Sequence, residues 1–474
     1  MPLTLRLLVV IASLLGIGLL LPGCGRLLPP EQSGELVVGI REAPGIYQRE
    51  DGEQSGFEHD LVMEFATRLG FRVRFVLAAT SLELSEFVQQ NKVHMATGMP
   101  LGNGELEWSK PTRKVGQVIV GLADELGPES IDDLPRHSVH VVAGAPLAEI
   151  LRGLPTPPQV IEVPGLNELT LLEALAADRN ALAAVPEFYL DLANNYYPDL
   201  RALMRLPGEL HLAWAFAGPH AAELRAKADA FIADASKDGT LARINDRYFA
   251  HTKRIDAFGA TKFLEDVRTK LAGLRHHFHV AEELTGIDWR LLAALAYQES
   301  KWDPLATSYT NVRGLMMLTE ETADRLGVTN RLDPAESIRA GARYLADLIE
   351  QLPERTPHPD RLWLGLAGYN LGMGHLRGSF SVAKRMKRDP ASWYEMKQVL
   401  PQLARPEVYA RLKSGRARGG EAVIMVENIR TYYDILTRFE APHLTPFSKP
   451  ITAVLKQRED TQPRPDRSEE LQGP

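Results

Sequence analysis

Glu299 is the residue of this chain best placed to do chemistry. Across residues 288–311, DWRLLAALAYQESKWDPLATSYTN, three leucines (Leu291, Leu292 and Leu295) recur at helical spacing, and Glu299 lies four positions beyond Leu295 and seven beyond Leu292. The spacing predicts a helix with a carboxylate on its apolar stripe. A carboxyl facing apolar neighbours is costly to ionise, so its pKa rises and it can hold a proton near neutral pH, as a general acid must. A second reading of the same spacing has Glu299 at the helix end, solvated or paired with Lys301. Trp302-Asp303-Pro304 is predicted to stop the helix, because a residue before proline is pushed out of the helical region. That position explains Asp303 better as a helix-end residue than as a second catalytic carboxylate, and Ser300 reads as a structural group at the same end.

Further along come Ala306, Thr307 and Ser308, then Arg313-Gly314-Leu315-Met316-Met317-Leu318-Thr319, and later Ala367-Gly368-Tyr369-Asn370 before Leu371-Gly372. In this order, over about seventy residues, they resemble the goose-type lysozyme-like, soluble lytic transglycosylase family. Its pattern is Glu-Ser, Pro-x-Ala-x-Ser, Gly-Leu-Met-Gln and Ala-Tyr-Asn. The resemblance implies one glutamate, Glu299, acting as acid and then as base on the bond between N-acetylmuramic acid and N-acetylglucosamine, with a 1,6-anhydromuramyl end as product. It also implies that Ser308, Met317, Tyr369 and Asn370 lie near the substrate, the hydroxyls of Ser308 and Tyr369 orienting the N-acetyl group or Glu299. Asn370 could equally satisfy a backbone group beside Gly372. Two positions depart from the pattern: Met317 stands where glutamine is usual, and Met425 where tyrosine is common.

These residues need a body to hold them. At 474 residues the chain exceeds one core and predicts two or three domains. A net charge of -7 argues against nucleic acid as a partner. Arg6 precedes an apolar run over residues 7–21 and then Pro22-Gly23-Cys24, which reads as a bacterial secretory signal. Cys24 is the only cysteine, so no internal disulfide forms. Its place after Leu-x-Gly resembles a lipoprotein signal and implies a lipidated Cys24, with anchoring to the periplasmic face of the outer membrane; an ordinary signal cut nearby, or an uncleaved anchor, is the alternative. Residues 25–33 read as a short tether.

From Gly34 strands and helices alternate: Leu36-Val37-Val38-Gly39-Ile40, a helix over residues 60–70, then Arg72-Val73-Arg74-Phe75-Val76. Alternation of this kind predicts helices on a largely parallel sheet. Gly56-Phe57-Glu58-His59-Asp60-Leu61 resembles the signature of solute-binding family 3, as do Lys92-Val93-His94-Met95-Ala96, Val118-Ile119-Val120-Gly121 as a crossover strand and Ala213-Trp214-Ala215-Phe216 as the return. The implied fold is an α/β bilobal periplasmic-binding-protein-like domain over residues 34–252, with a regulatory or targeting role and a peptide or muropeptide as possible ligand. The ligand positions depart from that family. Gly102-Asn103-Gly104-Glu105 supplies no arginine, and Pro186-Glu187 stands where an aspartate is usual. Arg113 is a substitute charge or an exposed loop residue.

Residues 262–445 are predicted to form a mostly α lysozyme-like domain. It contains amphipathic helices around Phe263, Val267 and Leu271 and around Ser337 to Ile349, and a buried one over residues 361–370. His276, His277 and His279 have no cysteine nearby and read as a run on an exposed helix, so neither a metal nor a cofactor is expected. The polar tail from 446 to 474 is predicted to be disordered. The fusion of both domains, the Met-Met variant and Glu427-Asn428-Ile429-Arg430 together resemble membrane-bound lytic transglycosylases. The expected function is non-hydrolytic cutting of peptidoglycan glycan strands. The rivals are a hydrolase of the same glycan and a non-catalytic wall-binding protein.

Overall fold

The computed structural model describes residues 27–50, 53–102, 106–125, 127–178 and 181–443. The signal-like segment with Cys24, residues 103–105 and the tail from 446 lie outside the described residues. The chain divides into two compact units, residues 1–253 and 254–474.

The first unit is built on two mixed sheets. In the first lobe Glu35–Arg41 runs parallel to Arg72–Ala78 and to Met95–Pro100, while Leu210–Phe216 pairs antiparallel with Met95–Pro100. In the second, Ser138–Val142 lies parallel to Gln159–Val163 and Leu182–Pro186, and Gln117–Leu122 is antiparallel to Leu182–Pro186 and Leu200–Arg205. The largely parallel sheet expected from alternation is therefore corrected. Gln117–Leu122 and Leu210–Phe216 are delivered by the crossings between lobes rather than by local strand–helix–strand turns, and both run against their neighbours.

The Gly56–Leu61 motif has a structural task. Gly56 sits at φ 129, where a Cβ would run into the Ile46 carbonyl, so only glycine fits. Asp60, on the Phe57–Leu69 helix, accepts hydrogen bonds from Arg247 Nη1 and Tyr248 Oη, both at 2.8 Å. These bonds tie down the closing helix, Thr240–Phe249. Nor do residues 27–33 form a free tether. The buried Pro30 opens a helical turn, the Leu28 carbonyl meets His94 Nε2 at 2.9 Å, and Glu31 pairs with Lys227 at 2.6 Å.

The second unit is helical. Trp289–Ser300, the helix that carries Glu299, is capped by the Asp288 side chain accepting from the Arg290 amide at 2.8 Å. Every residue from Trp289 to Tyr297 is buried, so this is a core helix enclosed on all sides rather than one with a single apolar stripe. Against it packs the long helix Gly419–Phe439. A buried ion network holds that long helix. Glu427 accepts from Arg430 Nη1 at 2.9 Å, Trp393 Nε1 at 2.7 Å and Lys397 Nζ at 3.3 Å. Although burial alone would raise it, the two cations and the indole N–H hold the Glu427 carboxyl down at about 2. His279 stacks on His443 with ring centroids 4.1 Å apart and meets Trp289 edge-on, which is a packing role.

Candidate active site

Glu299 occupies the last turn of its helix, which ends at Ser300. The stop comes two residues before the position expected from Asp303-Pro304. Lys301 and Trp302 both take left-handed backbone conformations, each at φ 56. Two consecutive non-glycine residues in that region are strained and persist only where packing dictates them. The packing is visible: the Trp302 ring is buried and its Nε1 donates to the Ala293 carbonyl at 2.8 Å. The same turn carries Lys301 away from its neighbour. The Lys301 ammonium lies 4.5 Å from the Tyr297 ring centroid and 5.1 Å from that of Tyr432, and makes no ion pair with Glu299. Pairing with Lys301, the alternative open at the level of sequence, is thereby set aside.

Glu299 lines an open cavity of about 290 Å³ together with Gln298, Asn370, Glu421, Ile424 and Met425. Among the described residues no group donates a hydrogen bond to its carboxylate. Desolvation pushes the Glu299 carboxyl up to about 7, with the Lys301 charge opposing only weakly. Its place at the negative end of a helix acts in the same direction.

The wall that follows Glu299 is a loop stapled by backbone acceptors. Ser300 Oγ donates to the Leu315 carbonyl at 2.8 Å, and the Met316 amide donates to Ser337 Oγ at 3.1 Å. Gly314, at φ 81, passes so close to the Arg331 carbonyl that a side chain would clash. Tyr369 Oη donates to the Met316 carbonyl at 2.7 Å. Its proton is thus committed to the loop, and any further hydrogen bond at the hydroxyl is one it accepts. Burial, reinforced by the nearby Glu299 charge, raises the Tyr369 hydroxyl well above its usual range. Ser308 Oγ accepts from the amides of Thr310 and Val312 at 3.2 and 3.1 Å, which spends it on its own turn.

Of the residues singled out in the sequence, Glu299, Asn370 and Met425 share the cavity. Ser308, Met317 and Tyr369 are not among its lining residues; Met317 takes a left-handed conformation at φ 48 in the stapled turn. Gln298, Glu421 and Ile424 line the cavity and were not anticipated. Glu421, Ile424 and Met425 follow a three- and four-residue helical spacing, so placing Met425 on a helix facing Glu299 would have found the other two.

The bilobal unit has its own cleft, and it is closed. Arg41 Nη2 lies 3.1 Å from both carboxylate oxygens of Glu168, joining one lobe to the other. The side chains are 19% and 8% exposed. The space left beside them, between Ser81, Thr97, Phe188 and Tyr189, is about 60 Å³, enough for a few waters. Glu187 is engaged by Arg205, whose Nη1 lies 2.7 Å from its Oε2. Arg113 is not an exposed loop residue. It lies on the strand Arg113–Val115 with its guanidinium 3.7 Å from the Phe249 ring centroid and 4.2 Å from that of Phe188, and desolvation lowers it to about 10.

The geometry defines a two-module protein, a bilobal mixed-sheet unit followed by a helical unit with an unpaired glutamate in an open cavity. Comparison with known proteins agrees. Residues 36–251 match bacterial extracellular solute-binding proteins, family 3, and residues 276–391 match the transglycosylase SLT domain. A curated relative from Nitrosospira multiformis is 38% identical, with 93% of this chain and 94% of that protein covered. Relatives from Methylobacillus flagellatus and Thiobacillus denitrificans are also 38% identical; 88% and 90% of this chain, and 91% and 93% of theirs, are covered. All three are named membrane-bound lytic murein transglycosylase F, and this chain belongs to that family.

Proposed function

We propose that this protein is a peptidoglycan lytic transglycosylase in which Glu299 is the sole acid and base. The observation that carries the reading is a glutamate with its pKa near 7, unpaired, at the wall of an open cavity. Protonated Glu299 gives its proton to the oxygen between N-acetylmuramic acid and N-acetylglucosamine, and the C1–O bond breaks. The muramyl N-acetyl group relieves the positive charge at C1. Glu299, now ionised, takes the proton of the C6 hydroxyl, and O6 bonds to C1. A glycosidic bond is exchanged for the 1,6-anhydro ring, no water is consumed, and the glutamate ends protonated as it began. One group serving both steps needs a pKa near the working pH. Asn370, Gln298 and Glu421 offer the cavity's polar contacts, and Met425 an apolar one; Tyr369 and Ser308 hold the loop behind them.

Mass spectrometry of glycan products from purified peptidoglycan tests this. Anhydro-ended products, absent with Glu299→Gln, are expected; reducing-end products would mean a hydrolase, and none from either protein would mean a wall-binding module.

The first unit acts as a ligand-sensing or targeting domain for a peptide or muropeptide, which has to displace the Arg41–Glu168 pair to enter. The protein works in the periplasm at a membrane. Among the described residues no helix is long and apolar enough to cross a bilayer. A lipid on Cys24 at the outer membrane supplies the anchor, and metabolic labelling with a fatty-acid analogue, lost in Cys24→Ala, checks it.

A further inference from the structure

One residue removed from the wall of the Glu299 cavity, beside Arg418, stands an aromatic ring that the acid–base steps do not use. Tyr309 is 91% exposed, more than any other large hydrophobic side chain among the described residues. An isolated exposed ring would need no explanation. Three observations set this one apart. Its loop is fixed: Ser308 Oγ closes the turn onto the Thr310 and Val312 amides, and Arg331 Nη1 donates to the Asn311 carbonyl at 2.7 Å. Its hydroxyl interacts with the Arg418 guanidinium, and Arg418 Nη1 lies 3.6 Å from Oε2 of Glu421, a residue of the cavity wall. The ring thus stands on the loop that follows Glu299 and lies beside the residue that opens the helix Gly419–Phe439. Finally, Leu305 on the same loop is 71% exposed and Ile424 in the cavity wall is 50% exposed, so both elements carry exposed apolar side chains.

A pyranose ring has two faces of C–H bonds and an edge of hydroxyl and amide groups. An aromatic face dries one of the former, while a guanidinium and a carboxylate beside it meet the latter. We propose that Tyr309 is a stacking platform for a sugar ring of the glycan strand adjacent to the bond cut at Glu299, with Arg418 and Glu421 bonding that sugar's edge. This rests on the glycan-cutting reading above and names a specificity-determining residue for it.

Steady-state kinetics of the full chain on soluble, uncrosslinked glycan strands provides the test. Tyr309→Ala is expected to raise KM by roughly five- to tenfold, the effect of losing one aromatic contact, with kcat little changed. Tyr309→Phe and Tyr309→Trp keep the ring and are expected to keep KM. A wild-type KM in Tyr309→Ala would overturn the proposal. So would a Phe variant as weak as Ala, since the role would then belong to the hydroxyl and the loop it ties. Sedimentation with insoluble peptidoglycan, in a Glu299→Gln background, reads the same contact without catalysis. Less protein in the pellet for Tyr309→Ala supports the platform, and an equal amount overturns it. Absence of anhydro products from the wild-type chain, with Tyr309-dependent sedimentation intact, would overturn the activity and leave the platform standing.

Discussion

The two clefts of this protein treat a glutamate in opposite ways. In the bilobal unit Glu168 is matched by Arg41 across the lobes, and their bond fills the cleft down to about 60 Å³. In the helical unit Glu299 has no partner, and its cavity is open at about 290 Å³. A paired charge stabilises the closed arrangement around it and is chemically inert. An unpaired one destabilises the fold when ionised and is therefore available to take and give a proton. On the function proposed above, stability resides in one site and reactivity in the other.

The strongest way to break that contrast is to remove the reactive group. Glu299→Gln is expected to lower the rate of anhydro-product formation by roughly 10²- to 10⁴-fold, the usual scale of a general acid or base. Measured against pH, the wild-type rate should fall as pH rises through about 7, because the acid must start protonated. A rate independent of pH from 6 to 8 would mean another group carries the proton.

The same substitution should move stability the other way. A carboxyl raised to about 7 in the folded chain binds a proton that the unfolded chain has already released, so its contribution declines as pH rises from the ordinary carboxylate range to 7. Glu299→Gln avoids that loss. It is expected to stabilise the helical unit by about 2–3 kcal/mol at pH 8 and by almost nothing at pH 4, as read from denaturant melts at the two pH values. Equal effects at both would show that Glu299 does not titrate near neutrality.

Glu168→Gln should do the reverse of Glu299→Gln and destabilise its unit, by about 1–3 kcal/mol, because Arg41 is left without its counter-charge. Small-angle scattering should show a larger radius of gyration as the lobes part. The double replacement Arg41→Met with Glu168→Leu should recover most of the loss, since no charge is then stranded. If Glu168→Gln leaves both melt and radius unchanged, the pair does not hold the cleft.

The smallest effect concerns the cavity wall. Met425→Tyr puts an aromatic ring in the cavity wall and is expected to change kcat/KM by less than about tenfold, through one aromatic contact. A larger change, read on the same glycan strands, would place that residue in the reacting geometry itself.

How much of this was legible in the residue order depends on the range of the interaction. Local signals read well. The glycine that closes the Phe57–Leu69 helix takes the left-handed cap conformation, φ 76, that its place in the sequence called for. The helical stretch ending in Glu299 was visible in its leucines, although the burial of every residue from Trp289 to Tyr297 was not, because its main packing partner, the helix Gly419–Phe439, lies more than a hundred residues away. Ser308 and Tyr369 stood in the expected motif order, but order does not say which way a hydroxyl faces. Their bonds to the loop backbone are fixed by chain segments that meet only in the fold.

The sequence alone determined that Glu299 is a carboxyl at the end of an apolar segment, that two differently patterned modules are fused, and that no internal disulfide joins them. Composition and periodicity carry that information, since both follow from neighbours along the chain. Only the tertiary structure decided that Lys301 turns away from Glu299 while Arg41 turns towards Glu168. Glu299 and Lys301 are two positions apart and do not pair; Arg41 and Glu168 are 127 apart and do. Whether a charge is neutralised depends on distance in space, which the left-handed turn at Lys301 and the packing of two lobes set.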